Sequence, residues 1–204
     1  EAFINGKDIH AKTASDIFDV PLDLVTNSQR RIAKAVNFGI IYGISGYGLS
    51  ENIGITPKEA KKFIDDYLET YPGIQKYMDD TIANAHLNGY VKTMFNRKRN
   101  IPELSNTNYM IKSAGERIAL NTPIQGTSAD IIKMAMVKID EEFIKRDIKS
   151  KMLLQIHDEL VFDIIDSEKE EVTNLVMGIM KNIVSLKVPL EVSCDYGTDL
   201  YETK

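Results

Sequence analysis

At 204 residues, with 43% hydrophobic and 27% charged side chains, the chain has the make-up of a globular protein with a sizeable core. No apolar run reaches membrane-spanning length and the start has no signal-peptide plan, which argues against a membrane partner. The formal charge of −5 disfavours a nucleic-acid binder that is basic over its whole surface, yet leaves room for a local cationic channel.

In chain order, Asp8 to Phe18 reads as a short helix with Ala14, Ile17 and Phe18 as packing positions and His10 in its first turn. Taken alone, His10 is a surface or capping residue. Val20-Pro21 breaks the chain, and Thr26, Asn27 and Ser28 are N-cap candidates for a helix that ends near Tyr42-Gly43. At about 100° per residue, this second helix separates into two faces. Ile32, Val36 and Ile40, with Ala33 beside them, form an apolar stripe suited to burial. Arg30, Lys34, Phe38 and Tyr42 drift around the other side within roughly 120° of one another. Two cations and two aromatics on a solvent-facing side make a poor core. They suit a ligand that carries both phosphates and a flat ring, because Arg offers a planar fork, Lys a point charge and the rings a stacking surface. Free amides and the positive dipole end at the helix start favour the same ligand. The bland alternative is an amphipathic helix with a solvated basic face.

Ile44 to Leu49 is glycine-rich and reads as a turn. Thr56-Pro57-Lys58-Glu59 is a helix start with a cap, Pro at the first helical position and Glu at the capping-box position. That helix runs to about Tyr71, Pro72-Gly73 interrupts it, and another runs from about Ile74 to Asn88, with Phe63, Tyr67, Tyr77 and Met78 packing. Residues 89–93 read as a short strand, followed by the basic cluster Arg97, Lys98 and Arg99. Tyr109 to Thr122 is helical, with Met110, Ala114, Ile118 and Ala119 inward. Arg117, Asn121 and Gln125 recur every four residues, although Pro123 between them makes the helix kink or restart. In a row, such side chains can reach sugar edges and minor-groove acceptors of a duplex. Asp130 starts a helix to about Arg146, with Ile131, Ala135 and Ile139 packing.

Residues 151–156 and 160–164 read as a β-hairpin with His157-Asp158-Glu159 at its tip. Neighbouring carboxylates repel unless a cation sits with them, and magnesium takes hard oxygens of this kind. A solvated turn is the plain alternative. Ser167 to about Leu186 is an amphipathic helix, and Pro189 to Cys194 a closing strand. Cys194 is the single cysteine, which excludes an internal disulfide, suits a reducing compartment and is expected to be partly buried.

The spacing Arg30, Lys34, Phe38, Tyr42, Gly43 resembles the nucleotide-binding fingers helix of family A (DNA polymerase I-like) DNA polymerases. Residues 121–130, Asn-Thr-Pro-Ile-Gln-Gly-Thr-Ser-Ala-Asp, and 153–161, Leu-Leu-Gln-Ile-His-Asp-Glu-Leu-Val, are similar to two further motifs of that family, in order and at matching spacing. The resemblance spans the chain from His10 to the final strand. It implies an α+β fold: a mostly helical fingers region over residues 1–115 and, over 116–204, part of an antiparallel-sheet palm, the C-terminal part of a larger polymerase domain.

The resemblance also implies site roles. His10, Arg30, Lys34, Phe38 and Tyr42 would bind the deoxynucleoside triphosphate, with Lys34 protonating the pyrophosphate leaving group. Arg117, Asn121, Gln125, Gln155 and His157 would contact primer-template DNA, and the basic residues 97–99 would face nucleic acid. Asn96 stands where relatives commonly have Gly. Asp158 would hold catalytic metal with Glu159 as an accessory acid, two Mg2+ ions being expected in the intact enzyme. The implied reaction is template-directed transfer of deoxynucleotides to a primer 3′-hydroxyl in DNA replication and repair, in a bacterial cytoplasm, an organelle or a phage. The family's first palm motif, with the other metal-binding Asp, is absent from the chain, as are the thumb and upstream domains. The chain opens at Glu1 without an initiator Met and so reads as a fragment or processed product. Lacking one of the two metal-bearing carboxylates, it is expected to have little or no activity on its own. A non-catalytic nucleic-acid-binding module is the alternative. A metal-dependent phosphohydrolase ranks last, for want of a second ligand cluster.

Overall fold

The computed structural model describes residues 8–203; Glu1, where the chain opens, lies outside them. Among these residues the elements are α1 (Ile9–Phe18), α2 (Asn27–Ile41), α3 (Gly46–Ile53), α4 (Pro57–Thr70), α5 (Pro72–Asn88), β1 (Tyr90–Lys92), β2 (Lys98–Asn100), α6 (Tyr109–Lys145), β3 (Lys151–Ile156), β4 (Glu159–Asp163) and α7 (Lys169–Asn182), with short 3-10 turns between some of them. Helices dominate, and the two sheets are antiparallel pairs, β1–β2 and β3–β4. This is the expected α+β class. The chain divides into two compact units, residues 1–126 and 127–204.

In the first unit, each early helix starts on a side-chain cap. Asp8 accepts from the His10 and Ala11 amides, both at 3.0 Å. Thr26 and Gln29 close a capping box at the head of α2, and Thr56 with Glu59 does the same for α4. The stripe expected on α2 is buried: Val36 and Ile40 pack with Leu49 of α3 and with Ala60 and Tyr67 of α4. Leu49 corrects the reading of residues 44–49 as a turn. Ser45 caps the Gly48 amide, and Gly46–Ile53 coils as α3 with Leu49 fully buried. Burying Leu49 is worth about 1.5–3 kcal/mol, enough to offset the roughly 1 kcal/mol that each helical Gly costs. The break expected at Pro72-Gly73 is present: α4 ends at Thr70 and α5 begins at Pro72, since the first helical position needs no N–H.

The helix from Tyr109 does not restart near Pro123 or at Asp130. α6 is continuous over Tyr109–Lys145, with Pro123 inside it and Asp130 buried in mid-helix. Pro removes one ladder bond and crowds the preceding turn. Tyr77 of α5 donates its hydroxyl to the Leu120 carbonyl at 3.3 Å there, and Thr122 Oγ1 donates to the Ile118 carbonyl at 2.7 Å. Ala119 and Leu120 are buried as packing residues, whereas Met110, expected inward, is 74% exposed. Asn96 takes φ 63° in the β1–β2 turn, a left-handed conformation that Asn tolerates in place of Gly.

In the second unit, Ile139 and Phe143 of α6 pack with Val172 and Val176 of α7, and Leu160 and Phe162 of β4 lie against them. The Glu168 carboxylate accepts from the Lys149 and Ser150 amides and the Ser150 hydroxyl, which hold it below the usual carboxylate range. α7 stops at Asn182, short of Leu186. Residues 189–194 form no strand, as no described strand offers them a ladder, and Cys194 is exposed rather than partly buried. Among the described residues no helix is long and apolar enough to cross a membrane.

Candidate functional site

The first unit gathers eight of the expected side chains. Because Val36 and Ile40 anchor one side of α2 in the core, Arg30, Lys34 and Phe38 are exposed on the other and Tyr42 is half-buried at its end. α1 lies alongside and brings His10 to this face. Its ring stands 5.8 Å from Phe38, and Phe38 stacks on Tyr42 at 6.1 Å and 24° between planes, so three rings follow one another. Arg30 Nε donates to the Asp8 carboxylate. That bond holds Asp8 below the usual carboxylate range, while Asp8 also caps α1. Lys34 has no ion-pair partner among the described residues, so its ammonium stands at the face as an uncommitted cation.

His10 is held differently. Its Nδ1 lies 2.9 Å from Nδ2 of Asn37, whose side chain is 97% buried, its relative exposure being 3%. Burial lowers the affinity of the ring for a second proton; Asp8 opposes that trend, and the Arg30 and Lys34 cations reinforce it. The imidazole is therefore biased toward its neutral form.

The end of α2 is seated on α6. Gly43 takes φ 77°, and a Cβ there would come within 3.0 Å of Leu120 Cδ1 and 3.5 Å of Arg117 Cγ. Only glycine meets both demands. With α6 unbroken, Arg117, Asn121 and Gln125 form a single row. Arg117 donates to Ser113 Oγ at 3.3 Å, Gln125 is exposed, and the buried Asn121 Oδ1 has no hydrogen-bond partner among the described residues. At Gly126 a Cβ would meet Thr93 Cγ2 at 2.7 Å, so the β1–β2 hairpin closes on α6 where that residue is missing a side chain. In the basic cluster, Lys98 lies over the Tyr90 ring at 3.9 Å, and Arg99 donates to Thr122 Oγ1 at 3.2 Å.

The second unit carries Gln155, His157, Asp158 and Glu159. The turn is tighter than expected. Ile156 pairs with Glu159, leaving His157 and Asp158 as the tip and Glu159 as the first residue of β4. His157 takes φ 55°, strained for a residue with a Cβ. Gln155 Nε2 donates to the His157 carbonyl at 2.7 Å, so this side chain braces the turn. Asp158 and Glu159 are exposed, and their side-chain carboxylates accept no hydrogen bond from the described residues. Among those residues no three His, Cys, Asp or Glu side chains form a metal cage.

Sequence reasoning missed Asp8 and Asn37. The signal for Asn37 was present: it lies four residues after Ala33 on the buried side, where an amide needs a partner. Nothing local marks Asp8 as the partner of Arg30, 22 residues away.

The family model described as DNA polymerase family A matches residues 1–202. The chain belongs to this family. It is similar to DNA polymerase I of Bacillus subtilis (50% identity) and of Geobacillus stearothermophilus (47%), in each case over the whole of this chain. It spans 23% of the length of those relatives. Among solved structures it is similar to the POL domain of Pol1 from M. smegmatis in complex with DNA primer-template and dNTP, with a TM-score of 0.88 and 43% identity over 94% of this chain and 34% of that one.

Proposed function

We propose that this chain is the nucleotide-receiving and part of the metal-holding portion of a DNA-directed DNA polymerase, transferring deoxynucleotides to a primer 3′-hydroxyl in bacterial replication and repair. Residues 1–115 act as fingers and 116–204 as part of the palm. The observation that carries the reading is the α2 face, where Arg30 and Lys34 share one side with the ring series His10, Phe38 and Tyr42. Cations at the helix start bind the triphosphate, and the rings two turns on receive sugar and base. The Arg117, Asn121 and Gln125 row contacts the duplex from α6, and Gln155 and His157 contact it from the β3–β4 hairpin. Likeness to a polymerase bound to primer-template and dNTP supports these partners.

The donor chemistry at Asp158 and Glu159 suits magnesium: two hard, exposed carboxylates next to each other, without hydrogen-bond partners among the described residues. Asp158 and Glu159 would hold the ion there, and it would supply charge neutralisation at the reacting oxygens. Asp158 is the ligand and Glu159 the accessory acid. Among the described residues these two do not complete a cage. In this reading the remaining ligand comes from another part of the polypeptide, and this chain alone does not extend a primer.

Hydrogen exchange on the full polypeptide tests the reading. With primer-template present, a template-matched deoxynucleoside triphosphate should protect residues 30–42, and a mismatched one should not. A non-catalytic nucleic-acid-binding module would show the same exchange in α2 with either nucleotide.

A further inference from the structure

We propose that Asn37 fixes the tautomer of His10, so that the imidazole meets the nucleotide as a neutral Nε2–H donor. The proposal rests on the reading of α2 as the triphosphate face and assigns a residue that lies behind it. Asn37 Nδ2 is a donor, and the only His10 atom it reaches is Nδ1, at 2.9 Å. A ring nitrogen that accepts carries no proton, so the single proton of the neutral ring sits on Nε2. Asn37 is buried, and among the described residues its Oδ1 has no hydrogen-bond partner, so the side-chain bond of this amide within them is the one to His10.

Around the ring, α1 contributes Asp8 and α2 contributes Arg30 and Lys34 as the charged groups that bear on it. Two cations already stand on the face. A third positive charge would be repelled by them, and a protonated Nδ1 would confront the Asn37 N–H as donor against donor. A neutral Nε2–H instead adds one directional hydrogen bond to a phosphate oxygen without crowding the guanidinium and ammonium. Asn37 touches neither nucleotide nor DNA; it is a positioning residue acting through His10.

The test is nitrogen NMR on the full polypeptide with 15N-labelled histidine, the His10 signals being those lost in His10→Gln. The parent should show a protonated Nε2 and an unprotonated Nδ1 at neutral pH. Asn37→Asp puts a carboxylate, which only accepts, opposite Nδ1: the proton should move there and the His10 titration midpoint should rise by about one pH unit or more. The pH profile of KM for the incoming nucleotide should follow it upward with kcat little changed. Asn37→Ser, which removes the amide without adding charge, should leave a mixture of tautomers if Asn37→Asp fails to fold. A parent Nδ1–H tautomer, or a tautomer unchanged in either variant, overturns the proposal. If the tautomer behaves as described but His10→Gln leaves nucleotide affinity unchanged, the nucleotide assignment of the face fails instead.

Discussion

The α2 face and the β3–β4 tip both carry candidate chemistry, but they differ in what holds their side chains. Behind the α2 face, Val36 and Ile40 are 1% exposed, Asp8 bonds Arg30, Asn37 bonds His10, and the rings of His10, Phe38 and Tyr42 brace one another. At the hairpin tip, the side-chain carboxylates of Asp158 and Glu159 have no hydrogen-bond partner among the described residues, and Leu153, Leu154 and Ile156 of β3 are 56%, 42% and 36% exposed. One surface is preorganised by its own neighbours. The other presents two carboxylates on a two-stranded ribbon, a structure of marginal stability by itself. The difference fits their proposed tasks: a ring and a triphosphate need several groups set at fixed spacing, whereas a carboxylate ligand is fixed by the cation it binds.

The hairpin side of this contrast makes the largest prediction. In the full polypeptide, Asp158→Ala should lower primer extension by about 10³-fold or more, since metal-based charge stabilisation is worth several kcal/mol. Glu159→Ala should cost about tenfold or less. Equal losses in extension assays would erase the distinction between ligand and accessory acid.

On the helix side, Gly43→Ala should destabilise by about 1–3 kcal/mol through its left-handed backbone, with a further loss from contact with Leu120. Gly54→Ala is the matched control, having φ 72° and open space. Thermal denaturation should show the Gly43 variant less stable than the Gly54 one; the reverse order would mean that the α2–α6 seat is loose.

A smaller effect concerns selectivity. Phe38 has no hydroxyl to replace the one missing from a dideoxynucleotide, so the parent enzyme should discriminate against such substrates. Phe38→Tyr adds one hydrogen-bonding group, worth about tenfold in the incorporation ratio. An unchanged ratio would remove Phe38 from contact with the sugar.

The smallest effect belongs to Asp8. Its lowered pKa means that the ion pair with Arg30 stabilises the fold above the ordinary carboxylate pKa and that this contribution fades as pH falls through the lowered value. Both side chains are more than a third exposed, at 45% and 40%, so the pair contributes below about 0.5 kcal/mol. Asp8→Asn keeps the cap and removes the charge. Its small melting deficit at neutral pH should close on acidification; a widening deficit would contradict the assignment.

Much of this was legible because the signals are local. The capping boxes at Thr26 and Thr56 and the stripe of Ile32, Val36 and Ile40 each lie within a few residues, and the helices follow from them. The helix at Gly46–Ile53 was not legible, since glycines argue against it and only the burial of Leu49, a tertiary fact, decides for it. Pro123 misleads in the same way, because α6 persists through it with support from Tyr77 of another helix. At the site, helical spacing displayed Arg30, Lys34, Phe38 and Tyr42, but the groups that orient His10 and Arg30 come from contacts 27 and 22 residues apart.

Lys34 is the most direct point of attack on the central claim, that the exposed face of α2 receives the triphosphate. Single-nucleotide incorporation by the full polypeptide should show Lys34→Ala losing about 10²-fold in kcat/KM for the incoming nucleotide, the scale expected for one charge-stabilising donor. Affinity for primer-template DNA should stay at the parent value. Unchanged kcat/KM, or a loss confined to DNA affinity, would contradict the account.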